Sequence, residues 1–183
     1  MNKVNKFDKQ DEKYKLHKLF MEYNNRIEKY TLTLIVFFLI SCDSNRLYEK
    51  NISIKNSIWE LSEKPSFEFN NIDTVAKINL KINVRHSSLY PFSNLWLFIN
   101  TINPYGELNI DTLECVLAKK DGKWIGHGLG DIWDVQCDFK NYRLDKEGVY
   151  IFEIEQAMRY GDLAKIEKLK GVMGIGLRIE KIK

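Results

Sequence analysis

The sequence predicts an all-β domain, a single antiparallel β-sandwich of jelly-roll type, behind a short apolar leader. Three observations carry this. Period-two alternation recurs in short runs, most clearly where Ile78, Leu80, Ile82 and Val84 hold one face and Lys77, Asn79, Lys81 and Asn83 the other. Turn residues separate these runs at regular intervals, the punctuation expected of sandwiches and barrels. Only Leu163 to Lys170 shows a helical period, with Leu163, Ile166 and Leu169 on one side between Gly161 and Gly171, so one short helical excursion is expected.

Taken in order, the domain is expected over residues 51–183. Ile52 and Ile54 alternate, then Phe67 and Phe69 after Pro65. Leu95 to Ile99, LWLFI, is a continuous apolar run, as in a strand covered on both faces or lying mid-sandwich. Leu113, Cys115 and Leu117 share a face, as do Trp133, Val135, Cys137 and Phe139. Tyr150, Phe152 and Ile154 mark another strand, and Met173, Ile175, Leu177 and Ile179 the last. Asn103-Pro104-Tyr105-Gly106 suits a type I turn, and Asp121-Gly122 signals a hairpin. Lys146-Glu147-Gly148 punctuates the chain ahead of Val149.

The leader has its own chemistry. Thr31 to Ile40 is apolar apart from two threonines, which suits the core of an export signal and falls short of the roughly 20 residues a spanning helix needs. Arg26 and Lys29 supply a cationic flank. Leu39-Ile40-Ser41-Cys42 resembles the lipobox of bacterial lipoproteins, cut between Ser41 and Cys42, with acyl chains such as palmitate then carried on Cys42. Each buried methylene contributes about 0.8 kcal/mol, so several chains anchor where one binds reversibly. The simpler alternative is an ordinary secretory signal ending at a coincidental cysteine. A signal running from Met1 would exceed the usual length. Residues 1–20 are therefore expected to be an upstream extension or a misassigned start, residues 21–41 the lipoprotein signal peptide, and residues 42–50 a lipidated polar tether. A basic amphipathic helix, with Leu16, Leu19 and Phe20 on one side, is the other reading of residues 1–20.

Charge follows the same division. The chain carries 28 Lys and Arg against 25 Asp and Glu, a net of +3, and that excess lies before Cys42. A neutral remainder excludes nucleic acid as a partner, because phosphate binding needs clustered cations. Of three cysteines, Cys115 and Cys137 alternate with apolar residues and are expected as buried free thiols. A disulfide between them is the lesser alternative, requiring α-carbons within about 7 Å. His86 and His127 lack a cluster of further ligands, so no metal or other cofactor is expected; both are expected solvent-facing or hydrogen-bonded.

No motif points to catalysis. Gly126-His127-Gly128-Leu129-Gly130 lacks the spacing of a nucleotide loop and reads as a turn that lets backbones approach closely. Glu153 and Glu155 share a strand face, as acids do in laminarinase-type jelly rolls, but no third acid follows. Alternate strand residues also lie near 7 Å apart, wider than the about 5–5.5 Å of a retaining glycosidase pair. The chain is expected not to be an enzyme. Trp124, His127, Arg159 and Tyr160 form the candidate binding surface, able to stack on a glycan or grip a protein. Trp133, in register with Val135 and Phe139, is expected in the core.

Several segments together resemble the GldH gliding-motility lipoproteins of gliding Gram-negative bacteria. They are Cys42-Asp43-Ser44-Asn45-Arg46; Pro65-Ser66-Phe67-Glu68-Phe69; Asn83-Val84-Arg85-His86; Tyr90 to Ile99; Asp121-Gly122-Lys123-Trp124; Gly128-Leu129-Gly130-Asp131-Ile132; Phe152 to Gln156 with Met158-Arg159; and Val172 to Lys181. The resemblance implies a cell-envelope lipoprotein required for gliding, a non-catalytic interaction or scaffold component of the motility apparatus and its linked type IX secretion system. It implies a membrane contact through acyl chains on Cys42, partners among the other gliding or secretion envelope proteins, and the outer membrane as location. It names no small-molecule ligand. Cys115 and Cys137 stand where the family pattern has other apolar residues. The alternative function is a glycan-binding sandwich lipoprotein of the envelope, using Trp124 or Tyr160.

Overall fold

The computed structural model describes residues 15–30, 45–162 and 164–182. The chain divides into two units, Met1–Ser44 and Asn45–Lys183. In the first, residues 15–30 form an α-helix with Leu16, Leu19 and Phe20 exposed. Among the described residues no helix is long and apolar enough to cross a membrane. The apolar core of the signal and the Ser41-Cys42 junction lie outside the described residues.

The second unit is built from strands: β1 (Arg46–Ser53), β2 (Ile58–Glu60), β3 (Ser66–Asn71), β4 (Lys77–Ser87), β5 (Asn94–Ile102), β6 (Leu108–Val116), β7 (His127–Leu129), β8 (Ile132–Arg143), β9 (Gly148–Gln156), β10 (Lys168–Lys170) and β11 (Val172–Lys181). One sheet runs β1-β11-β4-β8-β7, the second β3-β9-β5-β6, and a small ribbon joins β10 to β2. Every pairing is antiparallel. Among the eight long strands the first pairs with the last (β1 with β11), the second with the seventh (β3 with β9), the third with the sixth (β4 with β8) and the fourth with the fifth (β5 with β6). A long hairpin rolled on itself gives this order, so the jelly-roll expectation holds.

Alternation sets the core. Ile78, Leu80, Ile82 and Val84 of β4 face inward, as do Leu95, Leu97 and Ile99 of β5, Phe152 and Ile154 of β9, and Ile175, Leu177 and Ile179 of β11. Burying such side chains contributes about 1.5–3 kcal/mol each. Two buried amides fasten loops to this core. Asn71 donates to the carbonyls of Leu144 (3.0 Å) and Lys146 (2.8 Å), and Gln156 donates to that of Ile166 (2.6 Å).

Four expectations need correction. The strand ladder starts at Arg46, inside the stretch read as a tether over residues 42–50. β1 is an edge strand held by backbone bonds to β11, and its mostly polar sequence carries little apolar signal. The described part of Leu163–Lys170 contains no helix; Leu169 pairs with Trp59 across β10 and β2, and both side chains are buried. Period three over so short a run does not separate helix from buried strand. Leu95–Ile99 is central in its sheet but covered on one face only, leaving Trp96 39% exposed. Finally, Trp133 is only half-buried, while Trp124 packs against the core.

Candidate functional site

The aromatic candidates follow from two connections. Lys119 to Lys123 closes a tight turn in which the Gly122 N–H donates to the Lys119 carbonyl (2.9 Å) and Gly122 adopts φ 81°. The turn brings Trp124 beside Ala118 and onto buried His86, ring centroids 4.6 Å apart. The row continues from His86 to Tyr90 (5.8 Å), Tyr90 to Phe92 (5.7 Å) and Phe92 to Tyr160 (5.9 Å). Trp124 and Tyr160 thus stand at opposite ends of one aromatic row, Trp124 partly buried and Tyr160 67% exposed. Arg159 is exposed beside Tyr160.

His86 continues the inward face of β4 one step past Val84 and is 0% exposed. Its Nδ1 lies 3.0 Å from the Ser87 carbonyl, which makes Nδ1 the protonated nitrogen, and buried Nε2 has no hydrogen-bond partner. Burial pushes its pKa below the ordinary imidazole value. The neutral ring is therefore the favoured form.

His127 belongs to another surface. On the outer face of the five-stranded sheet the cross-strand row Ser53–Gly174–Arg85–Asp134–His127 borders a recess of about 440 Å³. The neighbouring row is Asn51–Gly176–Asn83–Gln136. Arg85 grips Asp134 through two bonds of 2.7 and 3.0 Å, which holds the guanidinium pKa up. Asn83 accepts from Gln136 (2.9 Å) and donates to Asn51 (3.3 Å) and Glu49 (3.2 Å). Hydrogen bonding from Arg46, with the nearby Arg178 charge, holds the Glu49 carboxyl below its usual range against the opposing effect of burial. Gly174 and Gly176 leave the middle of this face without side chains, so the recess is bordered by amides, the Arg85–Asp134 pair, Ser53 and His127.

The glycine loop serves packing. Gly126 adopts φ 93°, and a Cβ there would strike the Asp134 carbonyl; one at Gly128 would sit 2.8 Å from the Trp133 ring. Close approach of the loop to β8 is what excludes side chains here.

Glu153 and Glu155 do share the outer face of the second sheet, beside an open groove of about 500 Å³ that includes Phe98, Ile102, Leu108 and Ile110. Lys64 pairs with Glu155 at 2.9 Å. Among the described residues no group of His, Cys, Asp or Glu is placed to hold a metal. Four further side chains, Trp96 and Phe98 on β5 and the Arg85–Asp134 pair across β4 and β8, stand apart from the sequence-predicted candidates. Outward positions on already assigned strands would have shown all four.

The GldH lipoprotein family model matches residues 46–179, the strand-built unit almost end to end. This chain belongs to the GldH lipoprotein family. A "Gliding motility lipoprotein GldH homolog" of Christiangramia forsetii is 38% identical over 154 residues, covering 83% of this chain and 93% of that protein. "Gliding motility lipoprotein GldH" of Flavobacterium johnsoniae is 34% identical over 151 residues, covering 82% and 94%. Among solved structures, a family GH115 4-O-methyl-alpha-glucuronidase aligns with 78% of this chain and 18% of its own, at 9% identity and a TM-score of 0.35. An infectious bursal disease virus VP2 particle aligns with 76% and 34%, at 15% identity and 0.33. Likeness at that level carries no argument about this GldH chain.

Proposed function

We propose that this GldH chain is a lipid-anchored, non-catalytic component of bacterial gliding motility, held at the cell envelope through acyl chains on Cys42. The observation that carries the reading is the family match over residues 46–179, joined to two relatives named for gliding motility. The lipobox-like Leu39-Ile40-Ser41-Cys42, with residues 21–41 as its signal, supports the anchor. The outer membrane is the proposed site, and the partners are other envelope proteins of the motility apparatus and the type IX secretion system. Trp124, His127, Arg159 and Tyr160 are the proposed contact residues, divided between the aromatic row and the recess.

Cys42→Ala tests the anchor. The variant is expected to leave the membrane fraction and to abolish spreading of gliding cells, while the domain keeps its cooperative unfolding. A Cys42→Ala protein that still sediments with membranes refutes the lipid anchor. The second reading, a glycan-binding sandwich, draws on exposed Tyr160 at the end of the row. It requires saturable retention on a polysaccharide column that Tyr160→Ala removes.

A further inference from the structure

Cys115 and Cys137 lie on different sheets and both point into the core, 0% and 9% exposed. Within its own sheet Cys115 stands opposite Leu95, and Cys137 opposite Ile82. Contact between the two thiols is therefore contact across the sandwich. Sandwich layers ordinarily sit about 10 Å apart, too far for a disulfide. Here residues of β6 and β8 approach within 8 Å at their α-carbons, closer than the usual layer spacing, and both thiols are buried between these two strands' sheets. Both cysteines are free in this structure.

We propose that Cys115 and Cys137 form an intersheet disulfide in the exported protein. The inference rests on the envelope location proposed above, because such bonds persist in oxidising compartments. The two thiols lose two protons and two electrons as the S–S bond forms. A disulfide-bearing oxidant, a thiol oxidase of the envelope or oxidised glutathione in vitro, takes the electrons and is reduced to two thiols. The reaction begins with thiolate attack through a mixed disulfide.

Timing follows from burial. Contact with Cys137 and desolvation push the Cys115 thiol far above its ordinary pKa, so the attacking thiolate is scarce in the closed sandwich. Both thiols are also closed off from solvent in the folded domain, so an oxidant from solution reaches them more readily before the sheets pack together. Afterwards the same burial keeps reductants out. The loop it closes, residues 115–137, carries Trp124, the glycine turn and His127, and the bond ties both ends of that segment to the core.

The test uses the native protein, extracted and denatured in excess maleimide before and after reduction, with intact-mass detection. Cys115 and Cys137 are expected to take no label before reduction and both to label afterwards. Cys115→Ser is expected to free Cys137 for one label, a count made on denatured chains and so independent of the variant's folding. The oxidised domain should unfold about 5–10 °C above the reduced one. Two labelled thiols in unreduced protein from the envelope fraction would overturn the proposal. Recovery from the cytosolic fraction would instead refute the location; refolding that protein with oxidised glutathione then decides the geometry, a disulfide supporting it and two free thiols overturning it.

Discussion

Gly126→Ala tests whether the glycine loop is a packing device. Gly126 combines a left-handed φ of 93° with a backbone carbonyl, that of Asp134, where a Cβ would go. The first costs a non-glycine residue about 1–2 kcal/mol. The second adds about 1–3 kcal/mol, because the obstructing atom belongs to a paired strand and cannot rotate aside as a side chain could. The expected total is about 2–5 kcal/mol. Gly130→Ala supplies the control: φ is 61°, but the space around it is open. It should cost only about 1–2 kcal/mol. Urea unfolding of both variants, followed by tryptophan fluorescence, measures the difference. Equal losses at the two positions would refute the reasoning, since conformation would then explain both and close approach to β8 neither.

Two other predictions concern buried polar groups. His86 has a pKa below its ordinary 6.5 in the folded state, so below that value the unfolded chain binds more protons than the folded one. Stability should therefore fall as pH drops from 6.5 toward the lowered folded value, at no more than about 1.4 kcal/mol per pH unit, and level off below it. Urea midpoints from pH 7.5 to 5 should show this slope, and His86→Phe should flatten it. Asn71→Ala strands the carbonyls of Leu144 and Lys146, and calorimetry should register a loss of about 2–3 kcal/mol, with the 144–148 turn gaining hydrogen exchange.

Much of the fold was legible because one-sided burial writes period two into the chain. β4 and β11 show it plainly, and the turns at Asn103–Gly106 and Lys119–Lys123 announced themselves by residue type. Legibility failed where stability comes from elsewhere. β1 joins its sheet through a main-chain ladder and polar side-chain bonds to Asn83 and Arg178, neither of which writes an apolar period into the sequence. The ribbon of β2 and β10 is too short for any period, and the burial of Trp59 against Leu169 defines it. Trp96 and Phe98 were hidden inside an apolar run whose outer face is open. The candidate site divides likewise. The resemblance named the family from local segments, whereas the row from Trp124 to Tyr160 joins residues far apart in sequence.

The pairing of β1 with β11 has a mechanical meaning. Under the proposed anchoring, tension on the lipid tether would enter the domain at Arg46, where the ladder to Glu180 begins. Force applied along that border strand spreads over its whole set of cross-strand bonds at once, as in a lap joint, instead of peeling them singly. Under that anchoring, the border strand is where the domain would first bear load.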